Sequence, residues 1–205
     1  MKKIFLISVL LSLMLVGCGG GKQAVTRYYL LEYPDEQADV LSSLEQIVPF
    51  PFSCNILPVD IHPAFASYQI AIREHANQIN YFSFNEWAVR PTESLTRLVL
   101  QFFQNNDVFE TVTNLRSGMG SVVSVETYVS RMDLTVDRKA FIANLAVEFK
   151  LVHNETRQVI TSYHAANQRS LDEKSLNEFA AAVSEMFVEG LVLFANQMTV
   201  QDLIE

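Results

Sequence analysis

Hydrophobic positions recur along this chain with two periods, and the places where the period changes mark the predicted elements. The cleanest run is Phe141, Ala143, Leu145, Val147, Phe149 and Leu151, alternating with Asn144, Glu148 and Lys150. A period of two predicts a strand with one buried face and one wetter face. Turn residues flank it, Asp137-Arg138-Lys139 before and Asn154-Glu155-Thr156-Arg157 after. Val159, Thr161, Tyr163 and Ala165 predict the next antiparallel strand. Upstream, residues 122–136 are β-rich, but the phase shifts. Val123, Val125 and Val129 share one parity, whereas Met132, Leu134 and Val136 share the other. A bulge near Ser130-Arg131 explains the shift, because one extra residue moves every later side chain to the opposite face.

Shorter strands are predicted before this meander. Arg27 to Tyr33 is one, ended by Pro34-Asp35-Glu36. Ser53 to Val59 is another, with Pro58 and Pro63 marking an edge or a bend. Gln69 to Glu74 and Ile79 to Phe84 pair as a hairpin across a turn at 75–78, and Phe109 to Thr113 follows later. Leu41, Leu44 and Ile47 fit either a short helix or a loop.

Two segments carry the helical period. Pro91 suits a first helical position and Glu93 the positive end of the helix dipole. Leu95, Leu98, Val99, Phe102 and Phe103 then share one face, and Asn105-Asn106-Asp107 ends the run. Ser175-Leu176-Asn177-Glu178 reads as a capping box before Phe179, Val183, Met186, Phe187, Leu191 and Phe194. The predicted class is α+β: a mainly antiparallel sheet packed with two long helices, in a single domain over residues 27–205.

The amino terminus follows a different logic. Lys2 and Lys3 precede an apolar run from Ile4 to Met14, and Leu15-Val16-Gly17-Cys18 closes it. A positive start, an apolar stretch and small residues make an export signal. The run is shorter than the ~20 residues that a membrane span needs. The aliphatic-x-Gly-Cys ending resembles the lipobox of bacterial lipoproteins. That resemblance implies a signal peptide over residues 1–17, cleavage before Cys18, and diacylglycerol on the Cys18 thiol with a further acyl (palmitate-type) chain on the new amino terminus. Each buried methylene contributes about 0.8 kcal/mol, so two or three chains anchor durably. Residues 18–26 are the lipidated cysteine and a Gly-rich flexible tether. Gly19, where Asp would signal retention at the inner membrane, implies the outer membrane, with the protein on its periplasmic side.

Composition narrows the function. The formal charge is -8 and includes Lys2 and Lys3, so the cleaved chain is more acidic still. An acidic body with no basic patch argues against nucleic acid and against electrostatic docking on anionic lipid. Of two cysteines, Cys18 is assigned to the lipid, which leaves Cys54 without an intramolecular partner. Its apolar setting predicts a buried, inert thiol, with an intermolecular bridge as the alternative. No Gly-x-Ser-x-Gly elbow, His-Glu-x-x-His pair or phosphate-binding Gly-rich loop is present. His62, His75, His153 and His164 lack metal-ligand spacing. No catalytic residue, no metal and no cofactor other than the covalent lipid is expected; the protein is read as a non-enzyme.

The order of features past the tether resembles the ABC-type transport auxiliary lipoprotein family. Tyr28-Tyr29-Leu30-Leu31 matches the opening strand, and Leu57 to Pro63 resembles a strand running into a proline-bearing loop. Ile72-Arg73 with Asn77 to Tyr81 resembles the family's hairpin. Glu86-Trp87-Ala88-Val89-Arg90-Pro91, leading into Leu95-Thr96-Arg97-Leu98, mirrors the entry to the first helix. The resemblance covers about residues 28–105; Ala64 to Tyr68 departs from it by lacking the usual polar pair.

The resemblance implies a non-catalytic component of an envelope lipid-transport system. Its partners would be a mammalian-cell-entry (MCE) domain protein and an ABC permease complex, with the lipoprotein docking the MCE protein at the outer membrane. A lipid-binding carrier and a structural lipoprotein of another assembly machine are the alternatives. Trp87 has two readings, a core plug over Leu95 or an interface anchor flanked by Arg73 and Arg90. Exposed strand edges leave room for a homo-oligomer.

Overall fold

The computed structural model describes residues 25–34, 41, 43, 44, 49–115, 120–138 and 140–198. The architecture is organised around one long strand, β7 (Val123–Asp137). The predicted meander lies on one side of it. β8 (Ala140–His153) pairs antiparallel with the whole of β7, and β9 (Val159–Leu171) pairs antiparallel with β8 as the outer strand. The turns between them put Arg138 and Arg157 at positive φ, 53° and 59°.

The bulge sits where the phase shift predicts it. Val129 faces Val147 and Arg131 faces Ala146, so Ser130 is the extra residue. This keeps both hydrophobic sets on one core: Val123, Val125 and Val129 before the bulge, Met132 and Leu134 after it, all buried.

The other side of β7 corrects the expected topology. β2 (Phe50–Ile56), β3 (Asp60–Ile61) and β4 (Gln69–His75) join β7 one after another, at Val123–Val125, Tyr128–Val129 and Leu134–Thr135. All three run parallel to it. They act as one strand interrupted at Pro58 and Pro63, whose missing N–H groups break the ladder. β4 turns back into β5 (Gln78–Trp87) as the predicted hairpin, and β1 (Arg27–Tyr29) adds parallel to β5 at the edge. β6 (Phe109–Thr113) pairs parallel with β2. The described strands therefore form one curled, mixed sheet of nine strands, not a mainly antiparallel one. Alternation reveals that a segment is a strand but not which way its neighbour runs. The direction is set by the helical crossover between β5 and β6, which returns the chain for parallel pairing.

That crossover is α1 (Pro91–Asn105), and α2 (Leu176–Gln197) closes the described chain. Both bury their apolar faces in the same core as the sheet. Phe102 and Phe103 of α1 form an aromatic cluster that continues to Phe109 and Phe50. Phe187 and Phe194 of α2 pack on Phe149 of β8, at 5.4 and 5.6 Å between ring centroids. Only half of the capping box forms. Ser175 Oγ accepts from the Glu178 N–H at 3.3 Å, while the Ser175 N–H donates to the Glu173 carbonyl.

α2 lies so close to β8 that a Cβ on Gly190 would stand 3.0 Å from the Phe149 ring. Gly190→Leu is expected to lower stability by about 2 kcal/mol, because added methylenes in a filled core force rings off their rotamers. Chemical denaturation checks this; an unchanged midpoint would mean that α2 can lift off β8 freely. The Cys54 thiol is fully buried, and burial pushes its pKa up, so it is the inert thiol predicted and stands out of reach of another chain.

Candidate functional site

The sheet has its helices on one face, where Arg169 of β9 pairs with Glu185 and Glu189 of α2; a buried polar cluster lies on the other. Arg131, Asp133 and Thr135 alternate with the core residues Met132 and Leu134 and so point away from the helices. Asp133 is nevertheless buried, with 0% of its side chain exposed. Its Oδ1 accepts from Arg131 Nε at 2.7 Å and Arg73 Nε at 3.5 Å. Its Oδ2 accepts from Arg131 Nη2 at 3.2 Å, Thr135 Oγ1 at 3.1 Å and Asn144 Nδ2 at 3.2 Å. Asn144 comes from β8 and Arg73 from β4, so one carboxylate ties three strands together. With every lone pair taken, this aspartate is a structural centre and has no free oxygen for acid–base work. Asn144, read from the sequence as a residue of the wetter face, is itself buried.

Further along the same face, Pro58, Asp60, Glu126, Tyr128, Glu148 and Lys150 line an open groove of about 430 Å³. Lys150 pairs with Glu148 at 2.8 Å, and Glu126 with Arg157 at 2.8 Å. The groove is open to solvent and carries three carboxylates, Asp60, Glu126 and Glu148, against one lysine. A second groove of about 450 Å³, at the start of α2, is lined by Arg27, Tyr29, Asn85 and Lys174 among others and is predominantly polar. The interior between helices and sheet is filled by aromatic and aliphatic side chains.

The sequence-selected residues do not form one site. Trp87 is 2% exposed, with its ring 5.9 Å from that of Phe179 on α2. It is the core plug, held against α2. Arg90 is exposed and lies over the Tyr68 ring at 5.3 Å. Arg73 is at the other end of β4, opposite Ile79, bonded to Asp133 and to the Ala76 carbonyl. Trp87, Arg90 and Arg73 are thus three separate environments. Cys18 lies outside the described residues, as do residues 116–119 and most of 35–48. The Asp133 centre was missed in the sequence. Its one signal was a set of polar residues just after the predicted bulge, and that pattern also fits a solvated face.

His164 stands opposite Glu148, while His153 ends β8 beside the turn, so the two do not face each other. Among the described residues, no three His, Cys, Asp or Glu side chains are grouped to hold a metal ion. Nor is any described helix long and apolar enough to cross a membrane.

Solved structures show the same fold. Protein XCC0632 from Xanthomonas campestris, of the family DUF330, is 16% identical, with 84% of this chain and 95% of that one covered and a TM-score of 0.63. An uncharacterized protein is 12% identical, with 85% and 99% covered and a TM-score of 0.65. No curated protein matches the chain. The family of ABC-type transport auxiliary lipoprotein components matches over residues 29–191, from β1 well into α2. The chain belongs to the ABC-type transport auxiliary lipoprotein component family.

Proposed function

We propose that this protein is the lipid-anchored, non-catalytic station of an intermembrane lipid-transport system, docking an MCE-domain protein at the periplasmic side of the outer membrane. The family match over most of the chain carries this reading. The fold supports it: aromatic and aliphatic side chains pack the core between helices and sheet, the described grooves are open to solvent, and the one buried carboxylate among the described residues is fully bonded. A station of this kind needs surface, not a cavity. Arg90 and the acidic groove beside Tyr128 are the exposed polar features for a partner to meet. The outer edge of β9, thirteen residues long and free of proline and glycine, offers pairing to a second copy.

Cys18 carries the anchor in this reading. Cys18→Ala is expected to abolish incorporation of labelled palmitate and to leave the chain uncleaved or released from the membrane. Fractionation with metabolic labelling checks both. A variant that stays processed and membrane-bound would contradict the anchor.

A further inference from the structure

Several exposed apolar side chains lie around the start of the described chain, while others, such as Leu115, Val122, Val159 and Leu193, lie elsewhere. Tyr28 is 64% exposed and Phe84 52%, and Val25, Leu30 and Tyr68 are exposed as well. The β1–β5 register explains the first. Tyr29 pairs with Trp87, which points into the core, so Tyr28 and its partner Glu86 point outward. Phe84 lies in the irregular stretch of β5 between Tyr81 and Glu86, where the pairing with β4 shifts, and is itself exposed. Tyr68 lies on the far side of the same row, its carbonyl accepting from the Trp87 N–H at 2.7 Å. This is an aromatic face at the β1–β5 edge of the sheet, with no described helix over it.

Resting on the proposed acylation of Cys18, we infer that the Tyr28–Leu30–Phe84 face is a membrane-contact surface that lies on the headgroup region of the bilayer holding the anchor. Chain length supplies the argument. Arg27 follows Cys18 by nine residues. However those residues are arranged, they span at most about 30 Å. A compact domain of this size is about 40 Å across. The opposite end of the sheet therefore cannot meet the bilayer while the β1 end points away. The residues at the near end are of the right kind. Tyrosine and phenylalanine settle at the boundary between headgroups and acyl chains, with apolar body inward and polar tip outward. The charges beside it are Arg27, Glu86 and the Arg90 that covers Tyr68, mixed in sign. A mixed border on a chain that is acidic overall suits a zwitterionic headgroup such as that of phosphatidylethanolamine.

The test uses the full acylated protein in phosphatidylethanolamine-rich vesicles, after mass spectrometry has established the lipid on Cys18. An environment-sensitive fluorophore is placed through Phe84→Cys or, as the control, Val159→Cys; Cys54 is buried and does not compete. Val159 reaches β7 through Val152 and Ser124, whereas β4 joins β7 ten residues further on, at Leu134. The label at 84 is expected to shift to the blue and to be quenched by lipids carrying nitroxide near the headgroup. The label at 159 should do neither. A Tyr28→Ser/Phe84→Ser pair that leaves melting unchanged should abolish protection of Leu30 in hydrogen exchange on vesicles. Acylated, vesicle-bound protein whose label at 84 stays as wet as that at 159 would overturn the membrane contact alone. Protection of 84 that arises only with a protein partner would also overturn it and give the face to that partner. Absence of the acyl chains would remove the anchor reading and this inference together.

Discussion

Trp87→Ala is expected to destabilise the domain by about 3–5 kcal/mol, the cost of emptying a large aromatic site in a packed core. Trp87 ends β5, between β1 and the loop before β4, and its ring reaches Phe179 on α2. It therefore joins the sheet edge to the final helix. Total stability for a domain of this size is about 5–15 kcal/mol, so the variant should melt far earlier or fold poorly. Denaturant unfolding reads the loss directly. Partner capture by the fraction still folded should be retained, because the ring is not at the surface. Unchanged unfolding with lost capture would reverse that assignment and return Trp87 to an interface.

Asp133→Ala should cost nearly as much, about 2–4 kcal/mol, since removing one partner of a buried ionic cluster leaves the others uncompensated. The loss stays below the full value for a buried pair because Arg73 and Arg131 retain 20% and 35% side-chain exposure and can turn to water. Arg73→Met should cost less, about 1 kcal/mol, because the closer Arg131 still holds the carboxylate. The ratio of these losses, measured by denaturant unfolding, is the informative quantity. Equal losses would mean that the 3.5 Å contact from Arg73 carries as much as the 2.7 Å contact from Arg131. An Asp133→Ala variant with unchanged stability would show that the three strands hold without their shared carboxylate.

What could be read in the sequence was whatever local periodicity encodes. The parity change between Val129 and Met132 located the bulge at Ser130. The apolar stripe from Leu95 to Phe103 located α1, and Ser175 located the start of α2. Pairing direction was not legible, because β2, β3 and β4 look alike whether their neighbour runs with them or against them. The interruption at Pro58 and Pro63 was visible, but its meaning was not: three short strands filling one edge of β7. The Asp133 centre depends on Arg73, sixty residues away in the chain, and no local pattern reports such a meeting. Arg73 was selected for its place in the hairpin, yet its guanidinium faces the network and the turn, away from Arg90. The family resemblance was carried by residues 28–105, and the match extends through the meander into α2. Arrangement is therefore shared along most of the domain, even where short motifs fade.

The fold and the anchor divide the work in this account. The proposed acyl chains would fix position, a short tether would set the side that faces the lipid, and the packed α+β body would present its surface to a partner. The most direct test of that arrangement is to solubilise membranes gently, recover the tagged mature protein through its carboxyl terminus, and identify its companions by mass spectrometry. The account predicts an MCE-domain protein together with an ABC permease. Recovery of the lipoprotein alone, or with an unrelated outer-membrane barrel, would contradict it.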